Sequence, residues 1–297
     1  MEQDDMIYFH ADDYGVSRAQ SARILSCYTE GVLNSISVIP NTPELEKSLA
    51  LLDTEDTQNK IRRVLHLNFV EGKPIAGAKQ VDMLVDDTGF FSISFIQLLK
   101  WSYCKRGEER KRLKAQLKAE IAAQLEQVVD GCDYRITAID SHQHYHMIPI
   151  VLDALLEVIE EKGIGIQEMR IPVDPVLPLL KTPSLWLRVP IINWVKWGIL
   201  WLQSGRNRRK IEQKNIKVPV FFGIFFTCEM KLDIVNALMP KYIAYAQKRG
   251  CCLELMFHPG NLTKREELLD MRLKDLEEFY TSENRLKEAE CLRQLKR

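Results

Sequence analysis

The chain has 297 residues, 46% apolar and 28% charged, enough to bury a substantial core and typical of a globular protein, not a disordered or fibrous one. Its 41 basic and 41 acidic side chains cancel, so no bulk charge draws it to nucleic acid or a bilayer, and any such affinity has to be local. The seven cysteines, Cys27, Cys104, Cys132, Cys228, Cys251, Cys252 and Cys291, form no CxxC pair, and the acidic start Met1-Glu2-Gln3-Asp4-Asp5 resembles neither a signal nor a transit peptide, so reduced thiols in a cytoplasmic protein are expected.

Short β-like runs alternate with helical patterns. Residues 6–10 read as the first strand, followed by a turn at Asp12-Asp13-Tyr14-Gly15 and a helix that Ser17 caps and Gly31 ends. Residues 35–39 read as the second strand, and Thr42-Pro43 as the cap and first turn of a helix carrying Leu45, Leu49 and Leu52 on one side. Residues 64–69 alternate as a third strand, and a loop extends to Phe91. Two helical patterns follow, the second over 108–129 with Leu113, Leu117, Ile121 and Leu125 on its buried face. Further strands are expected at 135–140, 167–171, 218–222 and 253–257, with helices at 150–161, between Pro149 and Gly163, and at 232–248. About seven strands, each followed by a helix, predict an α/β fold: a distorted or incomplete (β/α) barrel of parallel strands. No linker or repeat divides the chain, so 1–297 is expected to be one catalytic domain, with a helical C-terminus from about residue 264.

One segment departs from this alternation. Residues 175–211 contain no acidic side chain, yet hold Lys181, Arg188, Lys196, Arg206, Arg208, Arg209 and Lys210 together with Trp186, Trp194, Trp197 and Trp201. The interior Pro190, Arg188 and Lys196 argue against a membrane-spanning helix. Two uses stay open: a helical insertion that covers the barrel or pairs two copies as a homodimer, and a greasy, basic surface for a lipid-linked or membrane-adjacent substrate.

All six histidines fall in four short clusters: His10-Ala11-Asp12-Asp13-Tyr14-Gly15, Leu65-His66-Leu67-Asn68, Asp140-Ser141-His142-Gln143-His144-Tyr145-His146 and Phe257-His258-Pro259-Gly260. Each follows an apolar run, and in a parallel βα barrel the loops at the carboxyl ends of strands converge on one face. Singly, three of them have plain structural explanations: a capped turn, a satisfied core histidine and a loop opening. Only the stretch 140–146 points to function by itself. Together they predict one rim carrying an acid and imidazoles suited to a divalent cation in an open site. Histidines at i, i+2 and i+4 share a direction only in extended backbone, which Pro149 opposes, so spacing does not assign all three as ligands. Asp140 is placed to orient an imidazole by accepting its other ring N–H.

These clusters, with Glu71-Gly72-Lys73-Pro74 after His66-Leu67-Asn68, resemble in order the motifs of the YdjC-like carbohydrate deacetylase family, from residue 6 to about 262. The resemblance implies a polysaccharide-deacetylase-type barrel and a metal-dependent hydrolase that removes the acetyl group from an N-acetylated sugar, either an oligosaccharide or a glycolipid head group. It implies Asp13, His66 and His142 as ligands of one divalent ion, Asp12 as general base and His258 as general acid. His144 and His146 match the motif, and with Asp140 are expected to contact substrate or support the ligands. The ion implied is Mg2+, with Zn2+ the alternative that imidazole favours. His10 departs from the small polar residue that many members carry there. A non-catalytic glycan-binding protein and a metal-dependent phosphatase using the basic cluster at 206–210 are the competing readings. No nucleic acid partner is expected.

Overall fold

Short apolar runs can pair in parallel only if a crossover separates them, and here helices supply the crossovers. The computed structural model describes residues 7–130, 134–263 and 277–296. Its strands are β1 (Ile7–Tyr14), β2 (Ser35–Val38), β3 (Arg62–Leu67), β4 (Ala138–Ser141), β5 (Glu168–Met169), β6 (Val220–Phe222) and β7 (Leu253–Phe257). They form one sheet in the order β5-β4-β3-β2-β1-β7-β6, with every neighbouring pair parallel. The helices are α1 (Arg18–Thr29), α2 (Leu45–Glu55), α3 (Phe95–Cys104), α4 (Gly107–Val129), α5 (Pro149–Lys162), α6 (Val176–Leu180), α7 (Pro183–Trp186), α8 (Ile191–Glu212), α9 (Leu232–Gln247), α10 (Glu277–Thr281) and α11 (Glu283–Gln294). None of them is long and apolar enough to cross a membrane. Met6, Cys132 and residues 264–276 of the expected helical C-terminus lie outside the described residues.

The sheet curls until its edges meet at one point. Glu168 bridges Lys217, and the Met169 N–H donates to Lys217 O at 2.9 Å, but no longer ladder joins β5 to β6 among the described residues. The barrel is therefore incomplete, as expected. Its gap lies at β5, which is two residues long where the sequence suggested 167–171. Pro172 lacks an N–H for a ladder, so the chain leaves the sheet there.

Ser17 caps α1 as expected, its Oγ accepting from Gln20 N at 3.1 Å, and Gly163 ends α5 with φ of 63°. Thr42 does not cap α2. Its hydroxyl donates to Gly15 O at 2.6 Å, which ties down the loop after β1, and α2 begins at Leu45 with no side-chain cap.

Alternation along the strands divides two environments. Phe9, Ala11, Ile36, Val38, Leu65, Leu67, Ile139, Leu255 and Phe257 are buried in the main apolar core together with residues of the surrounding helices. The residues between them, Tyr8, His10, Asp12, Arg62, His66, Asp140, Glu168, Arg170 and Glu254, meet one another inside the curl. Arg62 pairs with Glu168 at 2.8 Å and with Glu254 at 3.1 Å, and Arg170 pairs with Glu254. The lumen is thus a layer of compensated charge, in which removing one member would strand its partners in a dry interior.

Candidate active site

A regular strand would send Asp12 and Asp13 to opposite faces of the sheet. Here the β1–β2 register slips between Ala11, opposite Ile36, and Tyr14, opposite Val38, and Asp13 adopts φ of 65°. This bulge swings two consecutive carboxylates to the same rim, and a short polar side chain tolerates the left-handed backbone it requires. The turn expected at Asp12-Asp13-Tyr14-Gly15 is therefore corrected: β1 continues through Tyr14, whose hydroxyl donates to Ser48 O at 2.6 Å.

Two acid–imidazole clusters result, Asp13/His66/His142 and His10/Asp12/Asp140, each with one ligand-type atom per residue within 4.8 Å of the others. In the first, Asp13 Oδ1 lies 3.0 Å from His142 Nδ1 and 3.6 Å from His66 Nε2. The other nitrogen of each ring is held from behind: His66 Nδ1 by Asp140 Oδ1 at 2.7 Å, and His142 Nε2 by Glu71 Oε1 at 3.0 Å. The sheet explains the first of these contacts, because His66 and Asp140 are register partners on β3 and β4. One carboxylate oxygen and two converging ring nitrogens, backed by carboxylates, are a donor set that suits a divalent cation.

The second cluster already contains a cation. Arg170 donates to Asp12 Oδ2 at 2.8 Å and to Asp12 Oδ1 at 2.7 Å, and pairs with Asp140 Oδ2 at 2.7 Å. His10 lies beneath Asp12, with Nδ1 2.6 Å from Ser35 Oγ and Nε2 3.1 Å from Asp12 Oδ1.

The three histidines of 142–146 do not share a direction. Gln143 and His144 take φ of 48° and 63°, so the segment is a kinked single turn. His142 joins Asp13. His144 is half-buried, and its Nδ1 meets no hydrogen-bond partner among the described residues. His146 is fully buried, its Nε2 2.8 Å from the Arg170 carbonyl oxygen and its Nδ1 2.6 Å from Ser141 Oγ. Its contacts are internal and hold the backbone that presents Arg170.

His258 reaches the rim from the end of β7, with Nε2 3.9 Å from Asp12 Oδ2. Gly260, at φ of 79°, seats this loop on α1, since a Cβ there would come within 2.8 Å of Ile24.

These environments set the charges. Burial alone would raise both aspartates, but Arg170 and His10 hold Asp12 well below the usual carboxylate range, and His142, His66 and Arg285 do the same for Asp13. Burial would lower the two clustered imidazoles, yet Asp140 and Asp13 lift His66 to about 9, and Glu71 and Asp13 lift His142 to about 10. For His258 burial wins over the nearby aspartates and draws it down to about 4.

The sequence reading assigned no role to Glu71, Arg170, Tyr280, Arg285 or Glu288. Arg285, from α11, donates to Asp13 Oδ2 at 2.6 Å, Tyr280 donates to Glu71 Oε2 at 3.1 Å, and Glu288 accepts from the His258 and Met230 backbone N–H groups. A signal existed: charged residues at every second strand position, as in Glu168 and Arg170, and Arg285 three residues before Glu288 on the buried stripe of a helix. A separate cavity of about 1390 Å³ opens near the amino ends of the strands and along the β5–β6 gap, and none of the clustered acids or histidines lines it.

The model of the YdjC-like protein family matches residues 6–296. The chain belongs to the YdjC-like family. The resemblance read from the four histidine clusters is thereby borne out. Similar proteins include the carbohydrate deacetylase of Xenopus laevis, 24% identical over 278 residues, covering 86% of this chain and 81% of that one. The carbohydrate deacetylase of Danio rerio is 24% identical over 266 residues, with 84% and 80% covered. That of Thermoanaerobacter pseudethanolicus is 23% identical over 168 residues, so the match spans 57% of this chain and 62% of the relative. A crystal structure from Enterococcus faecalis V583, of a protein named for cellobiose-phosphate cleavage, superposes with a TM-score of 0.65 at 17% identity, over 97% of this chain and 90% of that one. It shares the curled-sheet fold of this YdjC-like chain.

Proposed function

We propose that this YdjC-like protein is a carbohydrate deacetylase that hydrolyses the amide of an N-acetylated sugar, with Asp13, His66 and His142 holding one divalent cation and Asp12 and His258 handling the proton. One observation carries the reading: a carboxylate and two oriented imidazoles converge one residue away from an ionised aspartate that faces His258. The names of the relatives support the substrate class. A cation bound there supplies Lewis-acid charge that acidifies water and polarises the acetyl carbonyl. Magnesium is the ion that the resemblance implies, and imidazole favours zinc.

The chain's own groups do the rest. Arg170 keeps Asp12 ionised and in place, so it accepts the proton of the attacking water at neutral pH. Arginine-paired Asp12 is a weak base and passes that proton on readily. His258 is neutral at pH 7 because burial draws it to about 4, so its Nε2, 3.9 Å away, can receive the proton and deliver it to the departing amide nitrogen. His258 thus begins the cycle as neutral imidazole, unlike the group titrating near neutrality that the sequence suggested. The water oxygen ends in acetate, the C–N bond breaks, and the sugar leaves as an amine. Asp140 and Glu71 orient the ligand rings, and His146 steadies Arg170 through its carbonyl.

Both a short oligosaccharide and a glycolipid head group fit this reading, and a homodimer through 175–211 is a competing use of that surface. Two-metal phosphatase chemistry fits less well, because Arg170 already occupies the second cluster. The test is acetate release from a panel of N-acetylated sugars by protein supplied with magnesium or zinc. Metal-dependent acetate is expected. Sugar binding without acetate would favour the glycan-binding reading, and phosphate release from sugar phosphates the phosphatase.

A further inference from the structure

Helix α8 buries Leu200 and Ile211 but also turns large apolar side chains toward water. Its inner stripe carries Asn193, Gln203 and Asn207, each at most 8% exposed, while Ile191, Val195 and Leu202 on its outer side are 83%, 51% and 70% exposed. Each inner amide makes a hydrogen bond: Asn193 donates to Phe225 O at 3.1 Å, Asn207 donates to Met147 O at 2.8 Å, and Gln203 accepts from Tyr103 at 2.6 Å. Nine of the 12 exposed large apolar side chains among the described residues lie between Leu177 and Leu202, Leu187 being 98% exposed. Exposed apolar side chains gathered in one stretch of the chain in this way mark a contact site.

The charge around it selects the partner. Residues 175–211 contain seven basic side chains and no acidic one. Arg188, Arg208 and Lys210 pair with Asp233, Glu212 and Asp153. The exposed Lys196, Arg206 and Arg209 have no acidic partner among the described residues, and Arg206 and Arg209 continue the outer stripe of Ile191, Val195 and Leu202. Pairing two copies through this face would gather these cations from both copies in one contact, and residues 175–211 supply no acidic side chain to meet them. An anionic bilayer satisfies both components at once, taking the apolar side chains at its head-group boundary and the cations at its surface.

The position also matters. Asp174 follows β5, Phe225 follows β6 and Met147 ends the turn after β4; α8 contacts all three, Trp197 donating to Asp174 O at 2.9 Å. Through its inner side α8 therefore borders the carboxyl ends of β4, β5 and β6, the end that carries Asp13, His66 and His142, while Trp197, Trp201 and Arg208 line the cavity beside the β5–β6 gap. We infer that the α6–α8 surface docks on anionic membranes and that the N-acetylated sugar is presented there on a lipid anchor; the second part rests on the deacetylase reading, the first does not.

Flotation of the full chain with phosphatidylcholine vesicles containing about one third phosphatidylglycerol, against pure phosphatidylcholine, tests the docking. The protein is expected to float with the anionic vesicles and to be released by salt. The exposed-face variant Ile191→Asp/Val195→Asp/Leu202→Asp, and separately Arg206→Glu/Arg209→Glu, are expected to lower partition roughly tenfold or more with unchanged circular dichroism. No flotation of the unmodified protein, equal flotation of both variants, or a stable dimer that the apolar variant dissociates would overturn the proposal. Vesicle binding is read without substrate, so flotation without acetate release from any sugar would remove only the deacetylase reading, and acetate release without flotation only the docking.

Discussion

Two clusters of the same residue types stand side by side at the rim and have different fates. Around His10, Asp12 and Asp140 the space between the carboxylates is taken by the guanidinium of Arg170. Around Asp13, His66 and His142, one oxygen of Asp13 is used by Arg285, while the other faces two imidazoles whose far nitrogens rest on Asp140 and Glu71. A side chain's environment here is decided by the groups behind it: a bidentate arginine holds one aspartate fixed and ionised, whereas oriented imidazoles make its neighbour part of a donor set that suits a cation.

The largest effect should separate the adjacent aspartates. Asp12→Asn is expected to lower turnover by about 10²–10⁴ with bound metal retained, whereas Asp13→Asn should lose metal and activity together. Elemental analysis beside acetate assays reads both, and equal metal loss in the two variants would break the contrast. Next, Arg170→Met leaves Asp12, Asp140 and Glu254 without their shared cation, and urea denaturation should show a loss of about 3–5 kcal/mol. Little change would mean that the second cluster is less tightly compensated than its geometry implies.

A smaller effect sharpens the first cluster. Glu71→Gln removes the charge behind His142 and should weaken metal binding by about 10–100-fold in calorimetric titration. The smallest concerns His146, which burial draws down to about 4. The unfolded chain, with its histidine near 6.5, takes up that proton first as pH falls, so the contribution is complete above pH 6.5 and fades toward pH 4. About 2 kcal/mol should be lost between pH 7 and pH 5, and this part of the pH dependence should be missing in His146→Gln.

Several of these relations could be read without coordinates. The βα alternation, the Ser17 cap and the Gly163 stop were legible because they depend on local periodicity and backbone preference. The meeting of Asp13, His66 and His142 at one rim followed from strand ends alone. The left-handed Asp13 was not legible, since nothing in Asp12-Asp13-Tyr14 distinguishes a bulge from a turn until β2 supplies a register. Glu71 lies in a loop and Arg285 in a late helix, so their approach to His142 and Asp13 depends on chain paths that no short pattern encodes.

What the amino-acid order determined was therefore the set of parts: seven strand-forming runs, their intervening helices, four histidine clusters after strands, and a basic, tryptophan-rich segment. Tertiary packing alone decided which acid meets which imidazole, that Arg170 fills one cluster, and that an apolar stripe of α8 faces outward. Periodicity encodes the face on which a side chain lies, but partners across the curl come from different strands, and their charges acquire meaning only when folding excludes water between them.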